Sequence, residues 1–449
     1  MKSKMLNLLN IYWAFTLFYY CFGKVYHKIP SYILLLVYCF ICYSSLNLGY
    51  YSVKRRHKNS DCIDKKYSRH NIFKYNKKMF RFCCIIFIIF QVTWVVVFMG
   101  EFNVFNIIDN LGSNYFERLS LKMEATNPAM KLRTLFWFFS YYVYPMGFTF
   151  FKDMKKNDRL LFLITISIDV IASLNMGISK NIGDIVIILI ATMMLNAHGK
   201  NLNIAEKIKN KKKTIYILFS IFTLFFVFTL IQSKRFEAVG KVVTEVTTNA
   251  KFGIVRSTSI LDILCLGNGM LVYSLHSLFD YFSSSYTALA LAFTLPFKNT
   301  YGLGFSRALM EYANQYLGIS VSNNTYCQQL EEVYGWLNGV SWPTAFVWIA
   351  NAVTFFGVPI VLYLLGNIWA KAEISWKKER KLISLVVYSQ LVIAFVYLPC
   401  NMQIVQSRSS LIATTIMFIL FAFRNTTFKL KNINIKSQSY KYLIEGDDK

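Results

Sequence analysis

Five cations stand apart from the strongly basic stretches of this sequence: Lys180, Arg235, Arg256, Arg307 and Arg408. Several lie where an apolar run begins or ends, so a bundle of helices could bring them together at one end. A guanidinium binds phosphate oxygens through two parallel N–H donors, and two or three such cations suit a diphosphate. They therefore predict a diphosphate site, with pairing to carboxylates or snorkelling to an interface as the structural alternative.

Two residues are candidates for a general base beside that site. His276 is the only histidine within 233–343, and Glu237 lies near the start of the same stretch. A hydroxyl group that attacks an electrophile must lose its proton, and histidine or a carboxylate accepts protons near neutral pH. Asp262 and Asp280 are comparable candidates. The alternative for His276 is a surface residue, or one whose hydrogen bonds are satisfied within the structure.

The composition indicates that a membrane positions these residues. Of the 449 residues, 55% are hydrophobic and only 16% are charged, which is too apolar for a soluble globular protein. Several runs approach the roughly 20 apolar residues that an α-helix needs to cross a bilayer, and the alternating pattern of a membrane β-barrel is absent. The sequence predicts an all-α, polytopic membrane protein.

The placement of the basic residues predicts the orientation. The net charge is +26, and 34 of the 49 Lys and Arg fall before the first apolar run, in four loops or after the last run. Such asymmetry is typical of cytoplasmic loops under the positive-inside rule. Both termini are therefore predicted to be cytoplasmic. The charge indicates orientation and contact with anionic lipid, and excludes nucleic acid as a partner.

The apolar runs predict about ten, and at most twelve, transmembrane helices in three segments. Residues 1–232 carry seven helices, 233–343 form a large extracytoplasmic loop, and 344–449 carry three helices and a basic tail. Within the loop, residues 257–275 and 277–296 are moderately apolar but interrupted by polar residues. We predict interfacial amphipathic helices there, whereas two further spans would keep the same orientation.

Signatures of nucleotide and metal chemistry are missing. The sequence has no Walker loop, no HExxH and no His and Cys residues clustered at metal-ligand spacing, so we predict no cofactor. Asp169 lies in the middle of a predicted span, where an ionisable group usually faces the bundle interior. The alternatives for Asp169 are pairing with a neighbouring helix, lining a cavity, and forming a structural hydrogen bond.

Four local features carry a resemblance to a known family. A tight connection around Lys180 joins two spans, Lys234-Arg235 closes a span before the large loop, Trp342-Pro343 enters the next span and Arg408 leads into the last one. In these features, and in the arrangement of residues 82–423, the chain resembles the Wzy-type O-antigen or oligosaccharide repeat-unit polymerases. Related polymerases often carry Arg where this chain has Lys180.

The resemblance implies a membrane glycosyltransferase of the bacterial inner membrane that uses no nucleotide. It would transfer a growing glycan from undecaprenyl diphosphate to a new repeat unit on the same lipid carrier, with a flippase and a chain-length regulator as partners. The five cations would hold the diphosphate, and His276 or Glu237 would lie near the acceptor hydroxyl. Two alternatives are an O-antigen ligase and a flippase or transporter for lipid-linked glycan.

Overall fold

The computed structural model describes residues 3–23, 25–26, 30–57, 69–103, 107, 111–114, 127–196, 226–231, 233–234, 254–255, 275, 278–338 and 341–425. Its helices are α1 (Lys4–Phe22), α2 (Tyr32–Arg56), α3 (Arg69–Met99), α4 (Pro128–Phe136), α5 (Ser140–Phe150), α6 (Lys156–Asn175), α7 (Lys180–Leu195), α8 (Ser285–Ala292), α9 (Arg307–Leu317), α10 (Tyr326–Tyr334), α11 (Ala345–Glu379), α12 (Leu382–Tyr397) and α13 (Arg408–Ala422). Short 3-10 turns lie at Trp137–Phe139, Ser322–Asn324 and Gln403–Val405, and a strand pair of two residues joins Val25–Tyr26 to Ile254–Val255. The prediction of an all-helical fold is confirmed.

Four helices within the described ranges are long and apolar enough to cross a membrane, namely α1, α2, most of α3 and α11. The helices α12 and α13 are apolar but shorter. Large apolar side chains cover the outside of these helices, among them Ile33, Phe40 and Phe356. Such a surface is unfavourable in water and favourable in lipid, as expected for a multi-pass membrane protein. The number of about ten spans stays a prediction.

Glycines allow α2 and α11 to pack closely. A Cβ atom added at Gly49 would lie 2.0 Å from the carbonyl oxygen of Tyr363, and one added at Gly366 would lie 2.2 Å from the carbonyl oxygen of Leu46. Close backbone approach increases van der Waals contact, which helices in lipid need because the hydrophobic effect does not drive them together. The α2–α11 pair therefore depends on two positions that have no side chain.

Two buried carboxylates stabilise one end of the bundle, which we call the basic end. Glu373 of α11 lies 2.9 Å from Lys54 Nζ of α2 and 2.6 Å from Lys377 Nζ. Asp158 of α6 lies 2.6 Å from Arg81 Nε of α3. A buried charge needs such partners because desolvation is costly. Basic residues of this end thus also join helices, a role that the charge pattern alone did not indicate.

The stretch 277–296 differs from its prediction. It contains α8, all eight of whose residues are buried. The Tyr286 hydroxyl lies 2.7 Å from the Tyr43 hydroxyl and 3.1 Å from Thr16 Oγ1, which places α8 against α1 and α2. The prediction of an interfacial amphipathic helix is wrong here, because α8 exposes no face to lipid or water. The companion stretch 257–275 lies almost entirely outside the described residues.

Residues 294–338 and 341–344, with the helix ends next to them, form the opposite end of the bundle, which we call the loop end. Asn351 of α11 joins its parts: its Oδ1 accepts from the Tyr326 backbone N–H at 2.7 Å, and its Nδ2 donates to the Gly304 carbonyl at 3.1 Å. Three residues later α11 is broken at Thr354, whose φ is 63°. The amide therefore fixes the loop end to the first part of α11.

The Cys327 thiol next to this amide gives a test of the packing. Burial raises the pKa of Cys327 to about 12, although a hydrogen bond from Asn351 opposes the shift. At pH 8 the thiolate fraction should be about a thousandfold below that of an unperturbed cysteine. We expect iodoacetamide to spare Cys327 in the folded protein. In Asn351→Ala it should be modified readily, because loss of the amide frees the loop end from α11 and exposes the thiol, which outweighs the loss of the hydrogen bond to it. Peptide mass spectrometry measures this, and equal labelling of folded and denatured wild type would contradict the buried position.

Candidate functional site

Two of the predicted cations meet at one carboxylate at the loop end. Arg307 Nε lies 3.2 Å from Glu311 Oε1, and Arg408 Nε lies 3.3 Å from Glu311 Oε2. Arg307 and Glu311 are one turn apart in α9, whereas Arg408 begins α13, 97 residues after Glu311. We call these three residues the Glu311 cluster. It carries one net positive charge.

Hydrogen bonds between the two chain segments hold this cluster in place. The Ser306 hydroxyl donates to the carbonyl of Val405. The Arg307 backbone N–H donates to Gln406 Oε1 at 3.0 Å, and Gln406 Nε2 donates to the Phe305 carbonyl at 3.3 Å. Because these bonds run in both directions between the segments, they fix the start of α9 beside the start of α13.

Both arginines occupy the first position of a helix. The Ser306 side chain caps α9, and Ser407 forms a capping box at the start of α13. A cation at this position is disfavoured by the helix dipole, so neither arginine stabilises its own helix there. Two guanidinium groups held beside two helix N-termini instead favour an anion in this region, through their charge and the helix dipoles.

The two arginines differ in exposure. The Arg408 side chain is 18% exposed and its guanidinium carbon lies 5.1 Å from the centre of the Tyr312 ring, whereas the Arg307 side chain is 53% exposed. Glu311 is 40% exposed. Arg408 is thus the more firmly held of the two cations. The exposure of Arg307 and Glu311 leaves the cluster accessible to a ligand.

A cavity of about 330 Å³ adjoins the Glu311 cluster and shares Arg307 and Glu311 with it. The residues that line it come from α9, α10, the turn between them, Asn338 after α10 and the start of α11, which contributes Trp348. Small-molecule sites in proteins have volumes of roughly 300–1,000 Å³, so this cavity is at the small end of that range. Sequence reasoning missed Glu311 and Trp348, although the spacing of Arg307 and Glu311 is that of an ion pair within a helix.

Lys180 forms a separate ion pair. Its Nζ lies 2.6 Å from Asp184 Oδ2, one turn later in α7, and 5.8 Å from the centre of the Tyr397 ring. Among the residues that the structure describes, no contact joins Lys180 to Arg307 or Arg408. In this part of the chain, the predicted cations thus pair with two different carboxylates, Glu311 and Asp184.

The remaining predicted site residues cannot be placed relative to the cluster. The cations Arg235 and Arg256 and the candidate bases Glu237 and His276 lie outside the described residues. Their roles stay predictions.

Asp169 is buried and accepts hydrogen bonds from Gln91 Nε2 of α3 and from the Tyr144 hydroxyl of α5. Three helices are thereby joined through one carboxylate. Of the alternatives that the sequence left open, pairing with neighbouring helices is observed. The residue belongs to the interior of the bundle and makes no recorded contact with the Glu311 cluster.

The loop end therefore combines an anion-attracting cluster with a polar cavity beside it. The guanidinium groups can bind an anionic group, and the cavity can hold a small polar ligand next to it. No protein-family model, curated protein or solved structure matches the chain.

Proposed function

We propose that this protein is a polymerase of lipid-linked oligosaccharide repeat units, with the Glu311 cluster as the site that binds the lipid diphosphate. The observation that carries the proposal is the convergence of Arg307 and Arg408, predicted as phosphate ligands from the sequence, on one carboxylate at a bundle end. Arg408 begins an apolar helix, so it suits a phosphate at the headgroup level of a bilayer.

The contacts of the cluster leave donors for a substrate. Both arginines contact Glu311 through Nε, and each guanidinium has four further N–H donors. No acceptor for these donors is recorded in the described part of the protein. Glu311 keeps the two cations together before substrate arrives, and a diphosphate with its larger charge then takes the place of the carboxylate as their main partner.

The reaction needs few groups from the protein. An acceptor hydroxyl oxygen bonds to the anomeric carbon of the growing glycan, and the bond from that carbon to the diphosphate oxygen breaks. The diphosphate leaves with the bonding electron pair, stabilised by Arg307 and Arg408, while the hydroxyl proton passes to His276 or Glu237, the predicted bases. No nucleotide is consumed, because the lipid diphosphate is itself the leaving group.

Lipid-linked substrates determine the proposed location. The loop end would face the extracytoplasmic side of the bacterial inner membrane and the basic end the cytoplasm, with both termini cytoplasmic, as the positive-inside rule predicts. Apolar residues on the outside of the helices, such as Phe40 and Phe356, are compatible with the entry of substrates from the bilayer. A flippase would supply the repeat unit, and a chain-length regulator would limit the product.

Deletion of the gene in its native host tests the polymerase proposal. We expect surface glycan that ends after a single repeat unit, seen as loss of the long-chain ladder on gels of extracted glycan. If the gene encoded a ligase, its deletion would instead leave finished polymer on the carrier lipid. If it encoded a flippase, its deletion would leave single units on the cytoplasmic side. An unchanged ladder would exclude all three activities.

A further inference from the structure

The cavity beside the Glu311 cluster has a lining that does not suit a second phosphate. Besides the carboxylate of Glu311 it is lined by that of Glu331, against the single guanidinium of Arg307. Two carboxylates and one cation repel an additional anion. A ligand of this cavity should therefore be uncharged and polar, unlike the diphosphate proposed for the cluster itself.

The other polar groups of the lining are mainly carboxamides and hydroxyls. Asn314 and Gln328 line the cavity together with serines of the turn before α10. A carboxamide both donates and accepts hydrogen bonds, and so do the hydroxyl groups of a sugar. The Asn314 side chain makes no recorded hydrogen bond within the described residues, so both its donor and its acceptor are available to a ligand.

The indole of Trp348 adds a more specific observation. The residue is only 1% exposed, yet its Nε1 has no hydrogen-bond acceptor among the described residues. A buried donor without a partner costs free energy, so a ligand that supplies an acceptor to it would be favoured. Because Trp348 lines the cavity, an oxygen of a bound ligand would satisfy this N–H once the side chains that cover it shift.

We propose that this cavity binds a saccharide, in which the Trp348 indole N–H donates to a sugar oxygen and the Asn314 and Gln328 carboxamides bind its hydroxyl groups. Because the cavity shares Arg307 and Glu311 with the cluster, a sugar within it lies next to the lipid diphosphate. Its identification as the acceptor site rests on the proposed polymerase function. Saccharide binding itself does not rest on that function, since it follows from the residues that line the cavity.

The test uses the full-length protein in nanodiscs and phosphate-free oligosaccharides from partial acid hydrolysis of the surface glycan of the host. Titration calorimetry measures their affinity for wild type, Trp348→Phe and Asn314→Ala. Loss of one hydrogen bond in a buried site should weaken binding about tenfold in Trp348→Phe. Asn314 is exposed, so Asn314→Ala should fold normally and bind more weakly.

Trp369→Phe is the matched control. Trp369 is also fully buried in α11 and its Nε1 also lacks an acceptor among the described residues, but its ring packs against Tyr50 and Tyr388 instead of lining the cavity. We expect wild-type affinity for the control. The proposal is overturned if both cavity variants bind the fragments as wild type does.

A second outcome also overturns it: millimolar fragments do not bind wild type while inorganic diphosphate does. That result would leave the polymerase proposal intact. Conversely, fragment binding lost in Trp348→Phe together with an unchanged glycan ladder in the deletion strain would reject the polymerase and leave the saccharide site standing. The failures of the two proposals are thus distinguishable.

Discussion

Replacing Arg408 with alanine is expected to shorten the surface glycan of a complemented deletion strain to one or a few repeats. Arg408 is the better held cation of the Glu311 cluster, and removing one preorganised donor to a developing anion typically lowers a rate about 10²–10³-fold. Arg408→Lys should restore part of the ladder, because lysine keeps the charge but cannot bind two phosphate oxygens in the fork geometry of arginine. Gel separation of extracted glycan measures the effect.

Arg307→Ala should have the smaller effect, about tenfold, because this side chain is more exposed and its contacts are more screened by water. Lys131→Ala is the matched control: it removes an exposed cation from α4, whose Thr134 contacts Ser409 at the start of α13. The control should give a full ladder. Full polymerisation by an Arg307→Ala and Arg408→Ala double variant at normal membrane levels would remove the Glu311 cluster from the mechanism.

Replacing Gly49 or Gly366 with alanine is expected to destabilise the whole bundle. Each added methyl group would lie within 2.2 Å of a backbone carbonyl oxygen of the partner helix, a contact that no side-chain rotation relieves. The helices α2 and α11 must then separate, at a cost of about 3 kcal/mol for overpacking. Thermal unfolding in detergent should show a lower midpoint for each variant. The membrane level of the protein should fall as well.

Gly183→Ala serves as the control for these substitutions. Gly183 also lies in an apolar helix, α7, but an added Cβ would be 3.6 Å from its nearest neighbour, the Tyr397 hydroxyl, which is an ordinary contact. The thermal unfolding midpoint of Gly183→Ala should match that of wild type. If Gly49→Ala and Gly366→Ala unfold at the same temperature as this control, the described packing of α2 on α11 is incorrect.

The sequence was sufficient for the fold class because the long apolar runs impose helices on any chain that enters a bilayer. It was insufficient for α8, where an apolar stretch interrupted by polar residues is equally compatible with an interfacial helix. What decides the case is that Tyr286 finds hydroxyl partners in Tyr43 and Thr16, 243 and 270 residues away. A residue pattern contains no information about such distant partners.

The candidate site shows the same limit. The sequence singles out Arg307 and Arg408 because they lie outside the basic stretches that are predicted to be cytoplasmic, and the structure brings these two together. The pairing of Arg307 with Glu311 could have been read from their spacing of four residues, as could that of Lys180 with Asp184. The approach of Arg408 to Glu311 could not, because it depends on how α9 and α13 pack.

The most direct test of the account is a reconstituted reaction. Purified protein in nanodiscs is incubated with the undecaprenyl-diphosphate-linked repeat unit of its host, without nucleotide sugars, and the products are separated by length. The account predicts a ladder of repeat units with one undecaprenyl diphosphate released per bond formed, and none with the Arg307→Ala and Arg408→Ala double variant. A folded wild-type protein that leaves the repeat units unjoined would contradict it.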